Sequence, residues 1–154
     1  MSEDIKFLDI AYEEALKAYE KDEVPIGAVI VKDGEIIGKG HNQRIEKNNA
    51  LYHAEIVAIE EACRNTGSWR LDGCTLYVTV EPCVMCAGAI MQSRIKKVVF
   101  GALDQKGGAV VSKYRLFDDG KLPFKVDYSL INYEKASIIL KDFFLNKRRV
   151  SRER

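Results

Sequence analysis

Long hydrophobic runs are missing from this chain. The longest, Cys83 to Met91, is about half of the ~20 residues that a bilayer span needs, so no membrane segment is expected. The start, Met1-Ser2-Glu3-Asp4, is acidic and has no apolar stretch, which predicts no secretory signal. Repeats, low-complexity tracts and Gly/Ser/Pro-rich linkers are absent, and one domain over residues 1–154 is expected. Cysteine is scarce at four residues, too few for a disulfide-built scaffold. In a chain without a signal, closely spaced cysteines point to metal binding or catalysis in a reducing compartment. The composition, 47% hydrophobic and 31% charged, excludes a disordered or collagen-like chain. A soluble cytoplasmic protein is expected.

An excess of charge is missing too, since the net charge is +1. Its distribution is uneven. Lys141, Lys147, Arg148, Arg149, Arg152 and Arg154 outnumber Asp142 and Glu153 at the C-terminus, leaving the remainder slightly acidic. Such a tail, about 147–154, reads either as a solvated end or as an anion-binding arm, with RNA the first candidate.

What is present is a clear α/β pattern. Ile5, Leu8, Tyr12, Ala15, Leu16 and Tyr19 recur at helical spacing and predict a helix ending before Pro25. Residues 27–31 read as a buried strand, Asp33-Gly34 as a hairpin turn, and 35–41 as its partner strand. A polar loop, 42–49, precedes a helix beginning near Tyr52-His53 and ending near Thr66-Gly67. Strands are predicted over 76–80, 97–100 and 126–131, with a helix after Pro82. Residues 101–123 read as loop with room for a short helix, and Asn132 as the cap of a last helix carrying Ile138, Ile139, Phe143 and Phe144. The order predicts a layered α/β fold with helices on both faces of a sheet that is antiparallel at least at its first hairpin.

Two short patterns carry the chemistry: His53-Ala54-Glu55 and Pro82-Cys83-Val84-Met85-Cys86. Helical residues three apart share a face, so Cys83 and Cys86 can grip one ion. The proline before Cys83 predicts both thiols in a helix's first turn, where the dipole favours thiolate. His53 adds a third ligand, and two thiolates with an imidazole suit tetrahedral zinc. His53 and Glu55, two apart, serve one site only at a helix N-terminus, where side chains converge beyond the end. Two helix N-termini aimed at one Zn2+ per chain are therefore expected. Three protein ligands leave a fourth position open, the pattern of a catalytic ion. Two thiolates neutralise the ion and weaken its pull on water, so a base is needed, and Glu55 is the candidate. A closed structural site would need Cys63, Cys74 or His41 as a fourth ligand. None has ligation spacing; Cys63 and Cys74 read as core, and His41 as a satisfied polar residue.

With these motifs the sequence resembles the zinc-dependent nucleobase deaminases. Within that cytidine/deoxycytidylate deaminase superfamily it is similar to the bacterial tRNA adenosine deaminases over about residues 5–150. The matching stretches are Glu23 to Val29, Asn42, Leu76 to Ile90, Ser93-Arg94-Ile95, Val98 to Ala102, Asp104, and Phe143-Phe144 with Arg148-Arg149. The resemblance implies a three-layer α/β/α, cytidine-deaminase-like fold with a mixed five-stranded sheet. It also implies a homodimer and conversion of adenosine to inosine at the wobble position of a tRNA anticodon stem-loop. His53, Cys83 and Cys86 would bind zinc. Asn42, the Ala54 N–H and Asp104 would contact the nucleoside, and water would attack adenine C6 while Glu55 protonates N1 and later helps ammonia leave. One stretch, Asn49-Ala50-Leu51-Tyr52, departs from the family's usual Asp-Pro-Thr-Ala, with Asn49 expected to replace the aspartate as helix cap.

Phe144, Lys147, Arg148 and Arg149 are candidate RNA contacts, an aromatic platform beside cations, with Phe143 expected in the core. The nearly all-apolar helix from Cys83 to Met91 needs cover on every side, which a second subunit would supply. Two rival functions stay open: deamination of a free base or nucleoside (cytosine, guanine or cytidine), and a non-catalytic zinc module that binds RNA or protein.

Overall fold

Asp33 and Gly34 both take positive φ, 51° and 79°, the mirror-image turn whose twist matches paired strands. They join β1 (Gly27–Lys32) to β2 (Glu35–His41) as the expected hairpin. This computed structural model describes residues 2–153, with side chains over 3–149. The end of the basic tail, including Arg154 and the Arg152 side chain, lies outside the described residues.

The remaining elements are α1 (Ser2–Glu20), α2 (Ala54–Thr66), β3 (Thr75–Val78), α3 (Val84–Gln92), β4 (Lys97–Phe100), β5 (Asp127–Leu130) and α4 (Glu134–Glu153). A single 3₁₀ turn, Leu116–Asp118, lies between β4 and β5. The sheet order is β2-β1-β3-β4-β5. β1 runs antiparallel to β2 and β3, while β3, β4 and β5 are parallel, so the sheet is mixed and five-stranded as expected. Parallel neighbours need a crossover, and α3 supplies one between β3 and β4.

Side-chain alternation sets the layers, because successive strand residues point to opposite faces. Ala28, Ile30, Leu76, Val78, Val98 and Phe100 pack with Ala54, Ala58 and Ala62 of α2 and Ala87, Ile90 and Met91 of α3. Val29, Val31, Tyr77 and Val99 face the other way, onto Phe7, Leu8 and Ala11 of α1 and Ala136 of α4. Helices thus cover both faces, giving the α/β/α layering of a cytidine-deaminase-like fold.

Local packing brings α2 unusually close to the sheet. A Cβ on Gly40 would lie 2.5 Å from the Ala54 carbonyl oxygen and 2.6 Å from the Ala58 nitrogen. Only glycine lets the helix backbone rest on β2 there, and this contact fixes where α2 begins. On the opposite face, buried Glu14 of α1 takes hydrogen bonds from Lys17 (2.7 Å) and His41 Nδ1 (2.9 Å). Burial raises the Glu14 carboxyl, but these two partners outweigh it and hold the group down at about 2. His41 is thus satisfied on one side only, as its Nε2 is buried without a partner.

Three expectations need correction. The last helix begins at Glu134, one residue later than Asn132 as its cap would place it. The third strand ends at Val78 rather than residue 80, because the chain turns away to deliver Glu81, Pro82 and Cys83. Asn49 does not cap α2; its Oδ1 accepts from the Leu51 N–H at 2.9 Å and closes a turn inside the loop. The acceptor at the start of α2 is instead Asn42, whose Oδ1 takes the Ala54 N–H at 2.8 Å.

Candidate active site

Two helix starts meet at one point. His53 is the N-cap of α2 (φ −72°, ψ 159°) and Cys83 the N-cap of α3 (φ −78°, ψ 178°). Extended backbone at a cap turns its side chain off the helix, and neither residue caps its own helix by a side-chain bond. Both side chains are left for each other. The sequence puts both thiols within the first turn; α3 starts at Val84, so Cys83 takes the cap and Cys86 the first turn.

His53 Nδ1 lies 3.6 Å from the sulfur of Cys83 and 3.6 Å from that of Cys86. Among the described residues, the His, Cys, Asp and Glu ligand atoms that gather within 4.8 Å of one another are these three. Cys63, Cys74 and His41 are not in the group. Bonds of about 2.0–2.1 Å to nitrogen and 2.3 Å to sulfur in a tetrahedron separate such atoms by about 3.6 Å. The residues present therefore fit a zinc ion, in spacing and in donor type.

Protons are unevenly shared here. Hydrogen bonding from Cys86, then from His53, pulls the Cys83 thiol down to about 4 despite partial burial. Cys86 is pushed up, first by its bond to Cys83 and then by burial. His53 is raised by its bond to the Cys83 sulfur. Glu55 stands beside the trio in the first turn of α2, and burial pushes its carboxyl up to about 7. A carboxyl poised there can hold or release a proton near neutral pH.

Of the expected nucleoside contacts, Asn42 adjoins the trio through its bond to Ala54, and the Ala54 N–H is itself engaged by that bond. Asn42, Arg44, Asn49, Phe144 and Lys147 line a groove of about 660 Å³. A second groove, about 730 Å³, is lined by Asp104, Lys106, Lys141, Phe144, Lys147 and Arg148. Phe144 and Lys147 form the ridge between the two. Phe143 is buried against Tyr19, whereas Phe144 is 45% exposed. Lys147 pairs with Asp22 and lies over the Phe143 ring. Arg149 is exposed on α4 but lines neither groove.

Sequence reasoning passed over two buried acids that shape this region. The Oε2 of Glu23 accepts from the N–H groups of Ile45 (2.9 Å) and Glu46 (2.7 Å), folding the loop after Asn42. Glu81 does the same for the loop that carries Asp104. Apart from the Ser112 hydroxyl on Glu81, their partners are backbone N–H groups and leave no pattern in the sequence.

The MafB19-like deaminase family matches residues 2–148. A tRNA-specific adenosine deaminase of Aquifex aeolicus (strain VF5) is 50% identical over 138 residues, covering 90% of this chain and 91% of that protein. A solved structure from biochemical and structural studies of A-to-I editing by tRNA:A34 deaminases superposes with a TM-score of 0.85. It is 44% identical and covers 88% of this chain and 99% of its own. A guanine deaminase from Bacillus subtilis is more distant, with a TM-score of 0.62 at 34% identity over 94% of this chain and 92% of that one. With identity this high across nine-tenths of both chains, and a shared fold, this chain belongs to the family of the tRNA-specific adenosine deaminases.

Proposed function

We propose that this protein hydrolytically deaminates adenosine to inosine at the wobble position of a tRNA anticodon. The observation that carries the reading is the meeting of two helix N-termini: three ligand atoms at zinc spacing, with a buried carboxyl beside them. The whole chain, residues 1–154, acts as one deaminase domain in the cytoplasm. Among the described residues, no helix is long and apolar enough to cross a membrane.

His53, Cys83 and Cys86 would hold one zinc ion, which when bound supplies Lewis-acid activation of water. Glu55 handles the protons. It gives one to adenine N1 as water adds at C6, and helps a second reach the departing ammonia. The amino donor at C6 thereby becomes a carbonyl acceptor. Asn42, its Oδ1 held by the Ala54 N–H, offers its side-chain NH₂ to the nucleoside. Asp104 borders the second groove, whose lining holds none of His53, Glu55, Cys83 and Cys86; its contact with the nucleotide is what the resemblance implies. An extruded loop nucleotide needs stacking for its neighbours and cations for their phosphates. The ridge of Phe144 and Lys147, with Arg148 beside it and Arg149 further along α4, offers both.

The test is incubation with an anticodon stem-loop bearing wobble adenosine, beside free cytidine, cytosine and guanine. Inosine in the stem-loop, with no ammonia from the free substrates, is expected. Ammonia from guanine with an unedited stem-loop would favour the small-molecule reading, which the likeness to a guanine deaminase supports. A zinc-loaded protein inert on every substrate would favour a binding module.

The protein also pairs with a second copy of itself in this reading. α3 buries Cys86, Ala87, Ile90 and Met91 in its own chain, yet Val84 is half exposed and Met85, Gly88 and Ala89 are only partly covered. That small, apolar face is the cover a twin helix would share. Sedimentation at micromolar protein should give twice the chain mass. A monomer at that concentration would overturn the dimer.

A further inference from the structure

Glu81 sits between β3 and the Pro82-Cys83 corner and is only 3% exposed. A buried carboxylate is costly unless its lone pairs are used. Here five donors converge on it. Oε1 accepts from the Asp104 N–H (3.1 Å) and the Ser112 hydroxyl (2.5 Å). Oε2 accepts from the N–H groups of Val110 (3.0 Å), Val111 (2.8 Å) and Ser112 (2.9 Å). Between them the chain passes so close that a Cβ on Gly108 would lie 2.3 Å from the Glu81 carboxyl carbon. Only glycine fits.

The clasped segment has no helix or strand of its own between Phe100 and Leu116. Its other anchor is at the candidate metal site: Ala109 N–H donates to the Pro82 carbonyl at 2.9 Å, and Cys83 pairs with Gly108 as a lone bridge. The middle of the segment thus rests on a proposed ligand, and its start carries Asp104. The Asp104 side chain is itself fixed, since its Oδ1 accepts from the N–H groups of Lys106 (3.1 Å) and Gly107 (3.2 Å). The backbone N–H of Asp104 ties this turn to the Glu81 carboxylate, beside the Glu81 N–H bond to the Ala102 carbonyl at 2.9 Å.

We propose that Glu81 is a positioning residue for the deamination, holding Asp104 against the nucleotide by gathering the backbone of residues 104–112 onto one carboxylate beside Cys83. The inference rests on the adenosine deaminase reading above. Glu81 touches neither substrate nor metal; it acts through Asp104.

Glu81→Gln separates this role from mere folding. An amide has one acceptor oxygen. Turned to the Oε2 side, it keeps the Val110, Val111 and Ser112 N–H groups, and the Ser112 hydroxyl rotates to accept from the new NH₂. The Asp104 N–H alone is left facing a donor. The zinc-loaded variant should therefore hold the same metal as wild type, while its Asp104 amide exchanges hydrogen faster. Its kcat/KM on the anticodon stem-loop should fall about ten- to a hundredfold, the scale of a misplaced contact. Residues acting through one another do not add, so Glu81→Gln placed on Asp104→Ala should cost less than about a further twofold. Should Glu81→Gln fail to fold, Gly108→Ala, whose methyl displaces the carboxylate, should give the same loss.

Turnover within about twofold of wild type by Glu81→Gln, or losses that multiply in the double variant, would overturn the inference. A wild-type protein inert on the stem-loop would instead refute the adenosine reading. The Asp104 amide is read without RNA, so an unchanged exchange rate sinks the clasp whatever the substrate.

Discussion

Glu55→Gln should fold, bind one zinc per chain and deaminate the anticodon stem-loop at least ~100-fold more slowly than wild type, the usual cost of losing a general acid–base group. The geometry makes this substitution clean. Glu55 is 4% exposed in the first turn of α2 and lies outside the His53–Cys83–Cys86 trio, so the amide takes no ligand away. Glutamine fills the same volume and keeps hydrogen-bonding capacity. What it cannot do is lose and regain a proton. Burial has already raised the Glu55 carboxyl to about 7, a poise suited to both giving and taking one. Inosine formation, metal content and circular dichroism on one preparation check the three statements together. Activity near wild type would make Glu55 structural and remove the mechanism.

The features legible in the sequence were those fixed by short-range rules. Asp33-Gly34 demanded a turn with two positive φ angles, and Gly67 (φ 69°) ends α2 where its left-handed conformation was expected. The unbroken apolar run to Val31 reads as a buried strand, and it lies between two helical layers. His53-Ala54-Glu55 with Cys83 and Cys86 implied converging helix starts, since only there can residues two apart serve one point. The split between Phe143 and Phe144 followed from Ile139 lying one turn before Phe143 on the same face, and both are buried.

What could not be read was fixed by distant partners. The local rule put Asn49 ahead of α2 as its cap, but the Ala54 N–H is taken by Asn42, delivered from the end of β2 by the glycine contact with the helix. That N–H, which the resemblance assigns to the nucleoside, is held by the Asn42 Oδ1 in this structure. Glu81 escaped notice for a related reason. Four of its five partners are backbone N–H groups over residues 104–112, which any sequence would supply; only the fold decides that they converge with the Ser112 hydroxyl.

Cys86→Ala should release the metal and lower the melting temperature to that of chelator-treated wild type. Cys86 is fully buried, and among the described residues its sulfur is one of three atoms at ligand spacing, 3.6 Å from His53 Nδ1. Two remaining ligands make a weak zinc site, and structural zinc is worth about 10–16 kcal/mol of apparent binding energy in small peptides. The architecture magnifies the loss. α2 and α3 aim their N-termini at the same point, each carrying a partial positive charge of about half an electron. Their cap residues, His53 and Cys83, make no side-chain bond to their own helices. Thiolates at that point would offset both helix ends, and a bound ion would hold them in place. Without it, the helix starts face each other with poor caps. In a chain of this size each kcal/mol lost shifts melting by about 2–4 °C, so a drop of several degrees or more is expected. Chelator should lower wild type to the variant's melting temperature and leave the variant itself unmoved. A Cys86→Ala protein that keeps one zinc per chain, or melts with the loaded wild type, would show that the ion binds elsewhere and that these helix starts are held together by packing alone.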